Sequence, residues 1–108
     1  MSGSDRGTHS PRGQEHDCAS LFEETVLNSP NPSVISKLKR DDVLELQVQR
    51  KGRAHVLVAL KGTEIAGSIT SALLAKIIDC IEKGFEYVAI VKTIRGGACT
   101  VQIRPKGA

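Results

Sequence analysis

Aromatic side chains are nearly missing from this chain: there is no Trp, one Tyr at position 87, and two Phe at positions 22 and 85. That shortage is at odds with a base-stacking platform of the RNA-recognition-motif kind, and it leaves packing to Val, Ile and Leu, which favour strands. Histidine is also scarce, and His55 is the only one outside the N-terminal segment. A Ser or Cys nucleophile therefore has no base beside it in any familiar arrangement. His9, His16 and Cys18 match no metal-ligand spacing, so neither a metal nor another cofactor is expected.

Cysteine is limited to Cys18, Cys80 and Cys99, an odd number with no C-x-x-C among them. Reduced thiols in a cytoplasm are the simplest expectation, with Cys80 and Cys99 as small core residues. Long apolar runs are absent as well, and the N-terminus has no apolar h-region, which predicts neither a membrane span nor a secretory route. Paired carboxylates are limited to Asp41 and Asp42, adjacent in a turn, while Glu45, Glu64, Asp79, Glu82 and Glu86 read as solvated. No enzyme is expected from this set.

What the chain does contain is an uneven basic charge. Residues 43–108 hold ten basic and five acidic side chains, whereas the whole chain is only +3. Residues 1–19 are Gly, Ser, Pro and charge with little to bury, the composition of a disordered tail, and residues 20–108 form one small domain. Within it, residues 20–40 read as a short arm and 41–105 as the core. The arm opens on "SLFEETVL", too brief to decide between strand and helix, with a lean to strand. Asn31 and Pro32 then supply an N-cap and a preset first turn for a helix over about 32–39.

"VLELQV" and "HVLVAL" alternate around Gly52, a hairpin signal, and "TEIAGSI" follows through Lys61-Gly62, so three strands form an antiparallel meander. Leu44, Leu46 and Val48 share one face, as do Val56, Val58 and Leu60. In "TSALLAKIIDCIEKG" the spacing changes: Leu73, Leu74, Ile77, Ile78 and Ile81 make a helical stripe, with Thr70 or Ser71 as N-cap and Gly84 as stop. "EYVAIVKTI" and "ACTVQIR" close the order β-β-β-α-β-β through Arg95-Gly96-Gly97. That turn joins two strands, lacks the helix an anion site needs, and reads as a hairpin. Gly67 marks a close backbone approach. One amphipathic helix serves to cover the apolar face of a curled sheet.

The run from "LKRDDVLELQVQR" through "AHVLVALKGTEIAGSI" and "LLAKIIDCIEKGFEYVAIV" to "CTVQIRP", residues 38–105, resembles the HIRAN domain family. The shared features are a turn into an alternating strand, a Gly-containing turn, a third strand ending in Gly, a capped helix, and I-x-x-G before a further strand. The resemblance implies an α+β fold, a small β-rich barrel-like (SH3-like) sheet with one packed helix, and recognition of DNA ends, notably single-stranded 3′ ends. Arg50 and Gly67 are the positions that carry over. "RKGRAH" stands where the family has an Asn-Pro-Tyr-Asp-like segment, and Ser68 where a His or Tyr is common.

The function expected from the residues and the resemblance is non-enzymatic binding of single-stranded DNA or DNA ends. Cationic hairpin tips, Arg50, Lys51, Arg53 and Arg95, would engage phosphates if they converge on one side. The alternative is a protein-interaction or adaptor domain, with a homodimer as one form, using a strand edge or the arm.

Overall fold

The computed structural model describes residues 17–107; His9 and His16 lie outside them. In chain order the elements are β1 (Glu23–Val26), α1 (Pro32–Ile35), β2 (Val43–Lys51), β3 (Ala54–Lys61), β4 (Glu64–Ile69), α2 (Leu74–Glu82), β5 (Tyr87–Arg95) and β6 (Ala98–Pro105). The strands form one antiparallel sheet in the order β1-β6-β5-β2-β3-β4. It is a small β-rich α+β domain whose sheet is open, with β1 and β4 as its edges. A single bridge, Asn28 to Ser68, links the segment after β1 to β4.

The expected elements form for the reasons their sequences suggest. Gly52 and Gly62 take φ 64° at the two meander turns, and Gly96 and Gly97 take φ 55° and 96° in the β5–β6 turn, a backbone open to Gly at almost no steric cost. The undecided arm is a strand, β1, paired with β6 from Glu23–Ile103 to Val26–Thr100, so there are six strands where the sequence predicted five. Asn31 caps α1 by accepting from the Ser33 N–H at 3.2 Å, with Pro32 in the first turn. The helix is shorter than 32–39, ending at Ile35.

One local expectation is corrected, and one face assignment left open is decided. Neither Thr70 nor Ser71 caps α2: Leu73 holds that position with no side-chain bond, because the Ser71 hydroxyl donates instead to the Glu23 carboxylate on β1. The helix still stops where expected, with Gly84 at φ 104° and its N–H donating to the Ile81 carbonyl at 2.9 Å. In β3 the residues that join Leu44 and Leu46 in the core are Leu57 and Ala59, both fully buried; Val56, Val58 and Leu60 occupy the opposite face. "VLVAL" is apolar at both parities, so alternation alone could not choose, and the hairpin register, pairing Leu46 with Ala59 and Val48 with Leu57, decides it.

The core lies between one face of the sheet and the helices: α2 buries Ile77 and Cys80 and rests Leu74, Ile78 and Ile81 against it, and α1 adds Val34 and Ile35. Fully buried side chains such as Leu44, Leu57, Ile69, Ile77 and Ile103 each contribute about 1.5–3 kcal/mol relative to exposure. Gly67 sits where the chain crosses itself: a Cβ there would lie 3.1 Å from both the Asn28 carbonyl oxygen and the Leu27 Cβ. The missing side chain leaves room for the Asn28–Ser68 bridge.

The expectation of three reduced thiols is overturned. Cys18 and Cys80 form a disulfide across 62 residues of chain, and both are fully buried. Residues 17–19 are helical, so the fold reaches back past the expected tail boundary at residue 19. Around the bond, the Tyr87 hydroxyl donates to the Cys18 carbonyl and Lys76 pairs with Asp17 at 3.5 Å. The pairing removes the thiol-based argument for a cytoplasmic location. Cys99 is a buried free thiol. Among the described residues no helix is long and apolar enough to cross a membrane.

Candidate functional site

The four cations expected to form a site divide into two places. Arg50, Lys51 and Arg53 cluster at the β2–β3 turn, and all three are exposed. Arg95 is exposed at the β5–β6 turn, at the other end of the sheet. The pairing of β2 with β5 is antiparallel and places Val43 opposite Ile90. Arg50 lies seven residues beyond Val43 in one direction and Arg95 five residues beyond Ile90 in the other, a span of about 40 Å along the strands at ~3.3 Å per residue. Alternation and turn signals identify both tips; the strand order that sends them apart is non-local.

The β2–β3 tip extends past the two flanking strands, with Glu82 of α2 beside His55. Strand β2 pairs with β5 only from Val43 to Glu45, and β3 pairs with β4 only from Leu57 onward. Three cross-strand pairs, Gln49–Val56, Arg50–His55 and Lys51–Ala54, therefore extend beyond both flanking strands as a two-stranded ribbon. Strand alternation puts Arg50 on the side that carries Leu44 and Leu46 into the core, and Lys51 on the reverse side. Arg53 occupies the turn.

Some body cations are paired with carboxylates, while Lys39, Arg40, Lys92 and Arg104, like the ribbon cations, have none within 4.0 Å among the described residues. On the body, Lys37 pairs with Glu64 at 3.0 Å, Lys61 with Asp42 at 3.6 Å, Lys83 with Asp79 at 3.1 Å, and Lys106 with Glu45 at 3.5 Å. Among the described residues, Arg50, Lys51, Arg53 and Arg95 have no carboxylate within 4.0 Å. Such cations keep their full charge for an external anion. His55, which the sequence showed only as a strand start, faces Arg50 across the ribbon, with its Nδ1 3.8 Å from the Glu82 Oε2 of α2. Only the register reveals that neighbour.

Other chemistry finds little support in the geometry. Burial pushes the Cys99 thiol above its ordinary pKa, the opposite of what a nucleophile needs. No group of three or more His, Cys, Asp or Glu side chains among the described residues is placed to hold a metal ion. A cavity of about 360 Å³ is lined by Pro32, Ile35, Ser36, Leu38, Ile94 and Gly97, near the Arg95 turn. It is mainly apolar and offers one hydroxyl, from Ser36. Another, of about 480 Å³, lies at Ala19, Phe85, Glu86, Pro105 and Lys106.

No protein-family model, curated protein or solved structure matches this chain.

Proposed function

We propose that this chain is a non-enzymatic nucleic-acid-binding module whose interface is the β2–β3 ribbon. The observation that carries the reading is the set of three exposed, unpaired cations, Arg50, Lys51 and Arg53, at the end of a hairpin that projects beyond its flanking strands. Cations so presented meet phosphates at little desolvation cost and release counterions on binding. Arg95, at the opposite end, is out of reach of the same short segment of nucleic acid. The HIRAN-like, barrel-like reading of the fold rests on the order of the last five strands and α2, and on the Asn28–Ser68 bridge that draws the segment after β1 to β4.

The test is fluorescence anisotropy with labelled single-stranded, blunt and 3′-overhang DNA over a salt series, comparing wild type with an Arg50→Ala, Lys51→Ala, Arg53→Ala triple variant. Binding weakens with salt, and the variant's log–log slope is shallower by about 2 to 3 for three lost phosphate contacts. Absence of binding at low salt by the folded protein refutes the proposal. A protein-interaction module is the second reading, favoured by Phe22, just before the edge strand β1, and Val26, at its end, 51% and 52% exposed. An edge with protruding apolar side chains is suited to adding a strand from a partner or a second copy. Concentration-dependent dimerisation abolished by Val26→Lys would favour it.

A further inference from the structure

We infer that the β2–β3 ribbon is built to enter the major groove of duplex DNA, which deepens the nucleic-acid reading and rests on it. Single-stranded nucleic acid offers one line of phosphates and is held by a one-sided basic track with aromatic stacking partners. The ribbon offers neither. No Phe, Tyr or Trp occurs between Val43 and Gly84, and Arg50 and Lys51 project from opposite sides of the ribbon.

Opposed cations suit a ribbon that lies between two phosphate walls. The DNA major groove, roughly 12 Å wide and 8.5 Å deep, admits a two-stranded β-ribbon. Three cross-strand pairs extend about 10 Å beyond the flanking strands at ~3.3 Å per residue, and the last pair with the turn lies beyond the point where Glu82 of α2 meets His55. The tip is slim: Gly52 lies in the turn and Ala54 opposite Lys51, so the Arg53 side chain leads. No carboxylate lies on the ribbon to repel the walls. Beside it, Glu45 is paired with Lys106 at 3.5 Å, and the Glu82 carboxylate of α2 comes within 3.8 Å of His55 on the side that carries Arg50.

The experiment compares a labelled blunt DNA duplex, each of its component strands, and the duplex RNA of the same sequence, over one salt series. The protein is wild type, Arg50→Ala, Lys51→Ala, or Arg40→Ala, the last an exposed cation beside the turn into β2. The DNA duplex binds about tenfold or more tighter than either strand, Arg50→Ala and Lys51→Ala each lower the duplex salt slope by about 0.9, and Arg40→Ala leaves it unchanged. The RNA duplex binds weakly because its major groove is too narrow for side chains to read. Equal or tighter binding of a single strand, equal binding of duplex RNA, or a slope change in only one of Arg50→Ala and Lys51→Ala overturns the groove assignment while leaving nucleic-acid binding in place. Binding of none of the oligonucleotides overturns both.

Discussion

Reducing the Cys18–Cys80 bond while leaving both sulfurs in place isolates the crosslink as a source of stability. The bond closes a loop of 62 residues. Chain-entropy arithmetic for that length gives about 4 kcal/mol at 25 °C, within the 0–5 kcal/mol range of measured disulfides. A described region of 91 residues, 17–107, is expected to have roughly 5–14 kcal/mol of total stability. The single bond thus accounts for between about a third and most of the margin. Urea unfolding of the oxidised and dithiol-reduced protein at neutral pH is the assay, with the difference in unfolding free energy as the readout. The reduced form is less stable by about 3–4 kcal/mol and melts roughly 12–30 °C lower. Its m-value is larger, because the unlinked unfolded chain exposes more surface. Alkylation in denaturant without reductant, followed by mass measurement, modifies Cys99 alone. A difference below about 0.5 kcal/mol, or three modified cysteines in the untreated protein, refutes the reasoning that this bond clamps the N-terminal segment to α2.

Tyr87 is the only Tyr and there is no Trp, which makes its absorbance a clean probe. Burial raises its pKa above 10.0, so its contribution to stability is complete below the unfolded value and is lost as pH rises through the folded one; phenolate absorbance therefore appears together with loss of circular dichroism, and ionisation at the ordinary value in the folded protein would contradict this. Tyr87→Phe leaves the buried Cys18 carbonyl without its donor and costs about 1–3 kcal/mol in a urea titration. Gly67→Ala forces a methyl to within 3.1 Å of Leu27 and Asn28 and destabilises by about 1–3 kcal/mol, whereas an unchanged urea midpoint would mean that the crossing relaxes freely. The Lys39 N–H, at 2.9 Å, and the Lys61 ammonium lower the Asp42 pKa below 3.8. Its stabilising effect is present above the unfolded pKa and lost as pH falls through the folded one, so Asp42→Asn flattens the acid limb of the stability profile, and parallel limbs would refute that.

Most of the local structure is legible one segment at a time. Asn31-Pro32, Gly52, Gly62, Gly84 and Gly96-Gly97 each satisfy a backbone requirement that few other residues meet, and each marks a turn or helix end. The α2 stripe is readable because Leu74, Ile77, Ile78 and Ile81 repeat at helical spacing. Where two local solutions were equally good, reading stopped. β3 is apolar on both parities, and Ser71 could cap a helix or bond Glu23. The candidate site follows the same rule: Arg50, Lys51 and Arg53 belong to one hairpin and are found together from sequence, but their separation from Arg95 and the pairing of Arg50 with His55 require the register of β2 against β3 and β5.

The sequence by itself determined a β-rich α+β domain with one substantial amphipathic helix, because turn-forming residues and apolar periodicity act over a few neighbours. Tertiary structure alone decided the strand order, the opposite placement of the two basic turns, the projection of the β2–β3 ribbon, and the Cys18–Cys80 bond. Each of these joins residues far apart in the chain through packing and pairing, which no window of neighbouring residues contains.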